Sequence, residues 1–180
     1  MEISKKIKYL ILFLILGLIF NFTLVLSGCG VIKEQEKENE YLSEMVYIMH
    51  ALADDSNFYK EVCDDVVSGD ISLSTQKETT KKLIEEINSF YDQYLELDPP
   101  KKLEVAHDLL GKSMEHYLNS CEYLQKYVDT DDNADMAKYF KEATLEWNQG
   151  DLYLLRSSKE LQSFLKSEGE KYQKFLDILK

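Results

Sequence analysis

Glu104 and His107 stand three residues apart within a helical pattern, a Glu-x-x-His spacing that puts a carboxylate and an imidazole on one face, as di-iron helical bundles require. Such a centre also needs a second pair of this kind and carboxylates from two further helices. Neither remaining histidine supplies it, since His116 follows Ser113 at that spacing and His50 follows Tyr47. Asp129, Asp131 and Asn133 match the first three oxygen ligands of a calcium loop. Ala134 then stands where the loop needs glycine, and Phe140 where it needs a bidentate Glu. Helix capping and the dipole of a following helix account for these acids without a cation. No metal ligand set and no cofactor is expected.

Nucleophilic chemistry has no better footing. The chain contains no Gly-x-Ser-x-Gly, no phosphate-cradling glycine loop and no Cys-x-x-Cys, and no histidine is spaced to serve Cys63 or a serine. Acidic side chains abound, but on long helices with 30% charged residues they make a solvated face. No catalytic residue is assigned, and the expectation is that the protein is not an enzyme. Cys63 and Cys121 either pair outside the membrane or act as small hydrophobes; their apolar helical positions favour the second. Beyond Tyr9, eleven tyrosines could stack on cell-wall sugars. Tyr91, Tyr94, Tyr117 and Tyr139 lie on or beside apolar stripes, which favours packing at the bundle boundary.

One residue has a definite chemistry. Lys5, Lys6 and Lys8 precede a stretch from Tyr9 to Leu26 that is apolar except for Gly17, Asn21 and Thr23, and Leu26-Ser27-Gly28-Cys29 follows. Basic, apolar, then small residues before a thiol: this order resembles the lipobox signal of bacterial lipoproteins. The resemblance implies cleavage after Gly28 and a diacylglyceryl group on Cys29, the new N-terminus. It divides the chain into a signal peptide over 1–28, an acylated Cys with a short charged tether over 29–40, and a folded domain over 41–180. It places that domain on the extracytoplasmic face of the cell membrane, anchored by palmitate-type acyl chains.

The charge balance fits. Against 21 Lys and Arg stand 33 Asp and Glu, a net charge of −12, which excludes an ordinary basic nucleic-acid binder. Removing residues 1–28 takes away three Lys and one Glu, leaving 18 basic and 32 acidic side chains, a net of −14. Such a domain is repelled by anionic lipid, so attachment has to come from the acyl chains. Arg156 is the one arginine, a lysine bias that points to an AT-rich Gram-positive genome.

Two prolines and seven glycines leave few breaks between regular elements. Apolar residues recur at steps of three and four through Leu42, Met45, Met49, Leu52, Tyr59, Cys63 and Val66, with Ser56 in the gap; this is one face of a long helix ending near Val67. A second helix opens at Thr75, where Thr75-Gln76-Lys77-Glu78 has capping-box spacing. It turns Leu83, Ile84, Ile87, Tyr91, Tyr94 and Leu95 inward and ends at Asp98-Pro99-Pro100. The third presents Leu103, Ala106, Leu110, Tyr117, Cys121, Leu124 and Val128. The fourth presents Met136, Phe140, Ala143, Trp147, Leu154, Leu161 and Leu165, continuous across Gly150.

Four long helices with short connections predict an all-α fold, an elongated antiparallel up-down-up-down bundle. Asp98-Pro99-Pro100, His107 and Asn148-Gln149-Gly150 resemble the pattern of small uncharacterised Gram-positive lipoproteins of helical-bundle type, which implies shape and address but no activity. Alternation puts the second and fourth helix starts at one acidic tip holding Asp64, Asp65, Asp70, Asp129, Asp131, Asp132 and Asp135. Residues 34–67 span about 50 Å, so an antiparallel fourth helix regains the opposite end near Ser167. Glu168–Lys180 then either packs near Tyr41 and Leu42 or lies on lipid; its balanced charge favours packing. The functional expectation is a membrane-anchored, non-catalytic interaction, sensing or scaffolding module, with the membrane as partner through Cys29 and a protein or cell-envelope partner unspecified. The alternatives are a lipoprotein that binds a small molecule or metal ion, and an enzyme acting on cell-wall polymer.

Overall fold

A computed structural model describes residues 34–61, 64, 68 and 72–179. Gly28, Cys29, Cys63, Asp65 and the Gly69-Asp70 turn lie outside them. The chain divides into two units, Met1–Glu40 and Tyr41–Lys180. In the first, residues 34–40 are helical.

The second unit is an all-α bundle. Helix α1 covers 41–61. Helix α2 is Leu73–Leu95 and α3 is Glu104–Asp129, entered through a 3-10 turn at Lys101–Leu103. Helix α4 is Asn133–Ser167, and the short α5, Gln173–Ile178, follows a second 3-10 turn at Gly169–Tyr172. Helix α4 ends at Ser167, the residue at which the sequence places its end.

Local chemistry sets each boundary. The cap of α2 is Ser72, not Thr75: Ser72 Oγ accepts the Thr75 amide at 3.1 Å, and the Thr75 hydroxyl joins it at 2.9 Å. Capping falls to the earlier serine, so Gln76 turns inward, where its Oε1 accepts from the buried Tyr127 hydroxyl. At the start of α4, one oxygen of Asp132 accepts the Ala134 and Asp135 amides at 2.9 and 3.0 Å. Leu95, expected inward, is 61% exposed because α2 ends there; Leu97, just past the end, packs against the core.

Helices α3 and α4 meet along a seam of small residues. Ser157 Oγ donates to Ala106 O at 2.6 Å, Ser113 Oγ to Gly150 O at 2.8 Å, and Ser120 Oγ to Ala143 O at 2.8 Å. Contacts recur every seven residues, and partner numbers fall on α4 as they rise on α3, which defines an antiparallel pair in constant register. Without bulk between them the backbones come close enough for a hydroxyl to reach the facing carbonyl, so each buried serine is hydrogen-bonded.

Lys77 Nζ donates to Thr130 O at 2.7 Å and pairs with Asp131 at 3.3 Å. The start of α2 therefore sits against the α3–α4 link, and the two starts share one tip as expected. At the opposite end Gly169, with φ +70°, reverses the chain after α4. Tyr172, Phe175 and Leu176 then enter the core that also holds Leu42 and Leu165.

Candidate functional site

Ser56, the one buried polar residue in the apolar face of α1, anchors a polar chain that runs from the core to the surface. Trp147 Nε1 donates to Ser56 Oγ at 2.9 Å, and Ser56 Oγ donates onward to Asp151 Oδ1 at 2.7 Å. The Tyr117 hydroxyl donates to the same oxygen at 2.8 Å, and Lys60 Nζ to Oδ2 at 2.8 Å. Three donors, two from α1 and one from α3, thus converge on one carboxylate of α4. The Trp147 ring packs against Tyr59 and Tyr117 at 4.6 and 4.8 Å between centroids, so the chain of bonds is walled by aromatic rings. Burial and the Asp151 charge push the Tyr117 hydroxyl well above its ordinary range, which keeps it a donor. Tyr117 is fully buried, deeper than the boundary position its sequence suggests.

Asp151 and Lys60 form one end of a groove of about 410 Å³ between α1, α4 and α5. Ala53, Leu154 and Leu155 form its middle. Ile178 and Leu179 close the other end, held where His50 Nε2 donates to Ile178 O at 3.0 Å and Gln162 Nε2 to Leu179 O at 2.9 Å. The volume lies within the range of about 300–1,000 Å³ usual for small-ligand sites.

Asp55, beside Ser56, has a different fate. Its Oδ2 is buried with no hydrogen-bond partner. Burial, then Glu86 and Asp54, raise its pKa from 3.8 to about 6. A carboxyl whose folded pKa lies above its unfolded value favours the native state most when both states are protonated, below about pH 4, and that contribution is lost as pH rises through about 6. After allowing for solvent screening at this partly exposed side chain, the loss amounts to about 1 kcal/mol. Asp55→Asn is therefore expected to raise the melting temperature by about 3 °C at pH 7.5 and to change it little at pH 4. Melting curves of both proteins at the two pH values check this, and an equal gain at both would exclude Asp55 titration as the cause.

The residues singled out by sequence do not gather. Glu104 is exposed, whereas the His107 ring packs on Tyr94 at 4.6 Å and its Nδ1 accepts from the Tyr41 hydroxyl at 3.0 Å. Burial lowers the His107 pKa, which suits a neutral acceptor. Asp129 accepts from Gln125, Asp131 pairs with Lys77 and Asp132 caps α4, so each acid has a structural role. Among the described residues no group of His, Cys, Asp and Glu could hold a metal ion. Cys121 is a free, buried thiol pushed up to about 12 by burial, in keeping with a small hydrophobe. No helix among the described residues is long and apolar enough to cross a membrane. Asp151, Lys60 and Asp55 escaped the sequence reading because acids and lysines at helix flanks look alike until a neighbouring helix faces them.

Fold and groove together define an all-α helical bundle with a mixed polar and apolar cleft. No protein-family model, no curated protein and no solved structure matches the chain.

Proposed function

We propose that the protein is a bacterial lipoprotein, cleaved after Gly28 and held on the extracytoplasmic face of the cell membrane by diacylglycerol on Cys29, whose bundle is a non-catalytic binding module. The observation that carries this reading is the order of Lys5, Lys6 and Lys8, the apolar stretch to Leu26, and Ser27-Gly28-Cys29. Lasting attachment of so acidic a domain calls for more than one acyl chain, which a diacylglyceryl group supplies. Two features support binding rather than turnover: a groove of ligand size, and a central carboxylate whose lone pairs are committed to Ser56, Tyr117 and Lys60.

Cys29→Ala is the test. The variant is expected to accumulate as an uncleaved precursor that takes up no labelled fatty acid, while the parent chain is labelled and shortened. Acyl labelling equal to that of the parent would refute the lipoprotein reading.

A further inference from the structure

We propose that the groove between α1, α4 and α5 binds a free single-chain anionic amphiphile, a fatty-acid-like carboxylate, with its head at Lys60 and Asn57 and its chain along Ala53, Leu154 and Leu155 toward Ile178. This rests on the reading of the domain as a binding module and not on its membrane attachment.

Polarity is graded along the groove. Because α1 and α4 run antiparallel, Asn57 and Lys60 on one helix meet Asp151 on the other at a single end, and Ala53, Leu154 and Leu155 follow as an apolar middle. The far end is shut by α5, and its polar groups are engaged: His50 Nε2 with Ile178 O, and Gln162 with Leu179 O. A ligand that fits has one polar end and one apolar end.

Donor counting fixes the sign of the head. Asp151 already accepts three hydrogen bonds, so the carboxylate has little left to offer a cation. Lys60, its side chain 55% exposed, gives one N–H to Asp151 and keeps two, and the Asn57 amide adds donors beside it. The head must accept, and a carboxylate accepts most strongly from an ammonium.

Length fixes the chain. From Met49 to Lys60 the groove follows α1 for about 16 Å at 1.5 Å per residue. Carbon–carbon bonds of about 1.5 Å in a zigzag advance about 1.25 Å each, so a chain of about twelve carbons reaches from one end to the other. Leu155 and Ile178 are 52% and 51% exposed, and a bound chain would cover this apolar wall.

The experiment uses the full chain in discs of neutral phosphatidylcholine at about 0.15 M ionic strength, where the long-range repulsion of an anion by the acidic protein is screened. A dodecanoate carrying a terminal diazirine is photolysed with the protein, and the adducts are located by peptide mass spectrometry. Adducts are expected on residues 49–60 of α1 and 154–158 of α4, competed by unlabelled dodecanoate and not by dodecyltrimethylammonium. Leu155→Glu, an exposed position that leaves the core untouched, should cut labelling about tenfold. Lys60→Gln should cut labelling by about fivefold and leave labelling by a photoreactive dodecanol analogue unchanged. Adducts spread over the surface, equal labelling of both variants, or equal competition by the cationic amphiphile would overturn the proposal. So would loss of the groove adducts when phosphatidylglycerol replaces part of the neutral lipid, since the occupant would then be membrane lipid. Failure of acylation at Cys29 leaves all these readouts unchanged, so the two proposals fail separately.

Discussion

Gly150→Ala is expected to destabilise the bundle by about 2 kcal/mol and Gly150→Val by about 4 kcal/mol, although in an open helix alanine would gain about 1 kcal/mol over glycine. A Cβ built on Gly150 lies 2.7 Å from Cε1 and 2.8 Å from Cδ1 of the Tyr117 ring. The ring has nowhere to go: it is fully buried, packs against Trp147, and is fixed by its hydroxyl bond to Asp151. Room for a methyl therefore requires the α3–α4 seam to open, which strains the bonds from Ser113 and Ser120 across it. Gly111 provides the control. A Cβ there would meet the hydroxyl end of Tyr94, a partly buried side chain on α2 that can turn away, so Gly111→Ala should cost less than about 1 kcal/mol. Urea unfolding of the variants checks the contrast. A stabilised Gly150→Ala protein would mean that the seam is looser than the structure has it.

The same glycine marks what could and could not be read in advance. Its place within an unbroken apolar stripe was enough to expect one continuous helix, because periodicity depends only on spacing along the chain. What lies opposite it was not legible, because that depends on register between helices. One signal did exist in the sequence: Ala106, Ser113 and Ser120 are each seven residues apart, as are Ala143, Gly150 and Ser157, and small residues at that interval mark a close helical seam. The helical periodicity and most of the stripes among the described residues were likewise legible, being local, and the run Asp129–Asn133 marked the start of α4 without singling out Asp132. The groove was not. Asp151 and Lys60 are ninety-one residues apart, and only the folded bundle places an ammonium on that carboxylate and leaves the opposite end apolar. Thr75 misled as a cap because Ser72 and Ser74 offer the same hydroxyl chemistry within one turn, and the choice among them is settled by which side chains the helix must bury.

Ending the chain before Glu170 is expected to lower the melting temperature by about 10 °C or more while leaving the acylation proposed for Cys29 unaffected. The segment removed carries Tyr172, fully buried, with Phe175 and Leu176 almost so, all three within the principal core. At about 1.5–3 kcal/mol for each large apolar side chain taken from water, their loss is worth about 4 kcal/mol after the surrounding side chains relax. Phe164, whose ring lies 6.0 Å from that of Tyr172, and Leu165 would be uncovered. The hydrogen bonds of His50 and Gln162 to the α5 carbonyls would be lost as well, opening the closed end of the groove. Thermal melts with a hydrophobic dye measure both effects, a lower transition and newly exposed apolar surface. Phe175→Ala alone should give about half the shift, which separates loss of packing from loss of chain length. A truncated protein that melts with the parent would show that the segment contributes nothing to the bundle, and the alternative of a surface helix lying on lipid would then account for its apolar face.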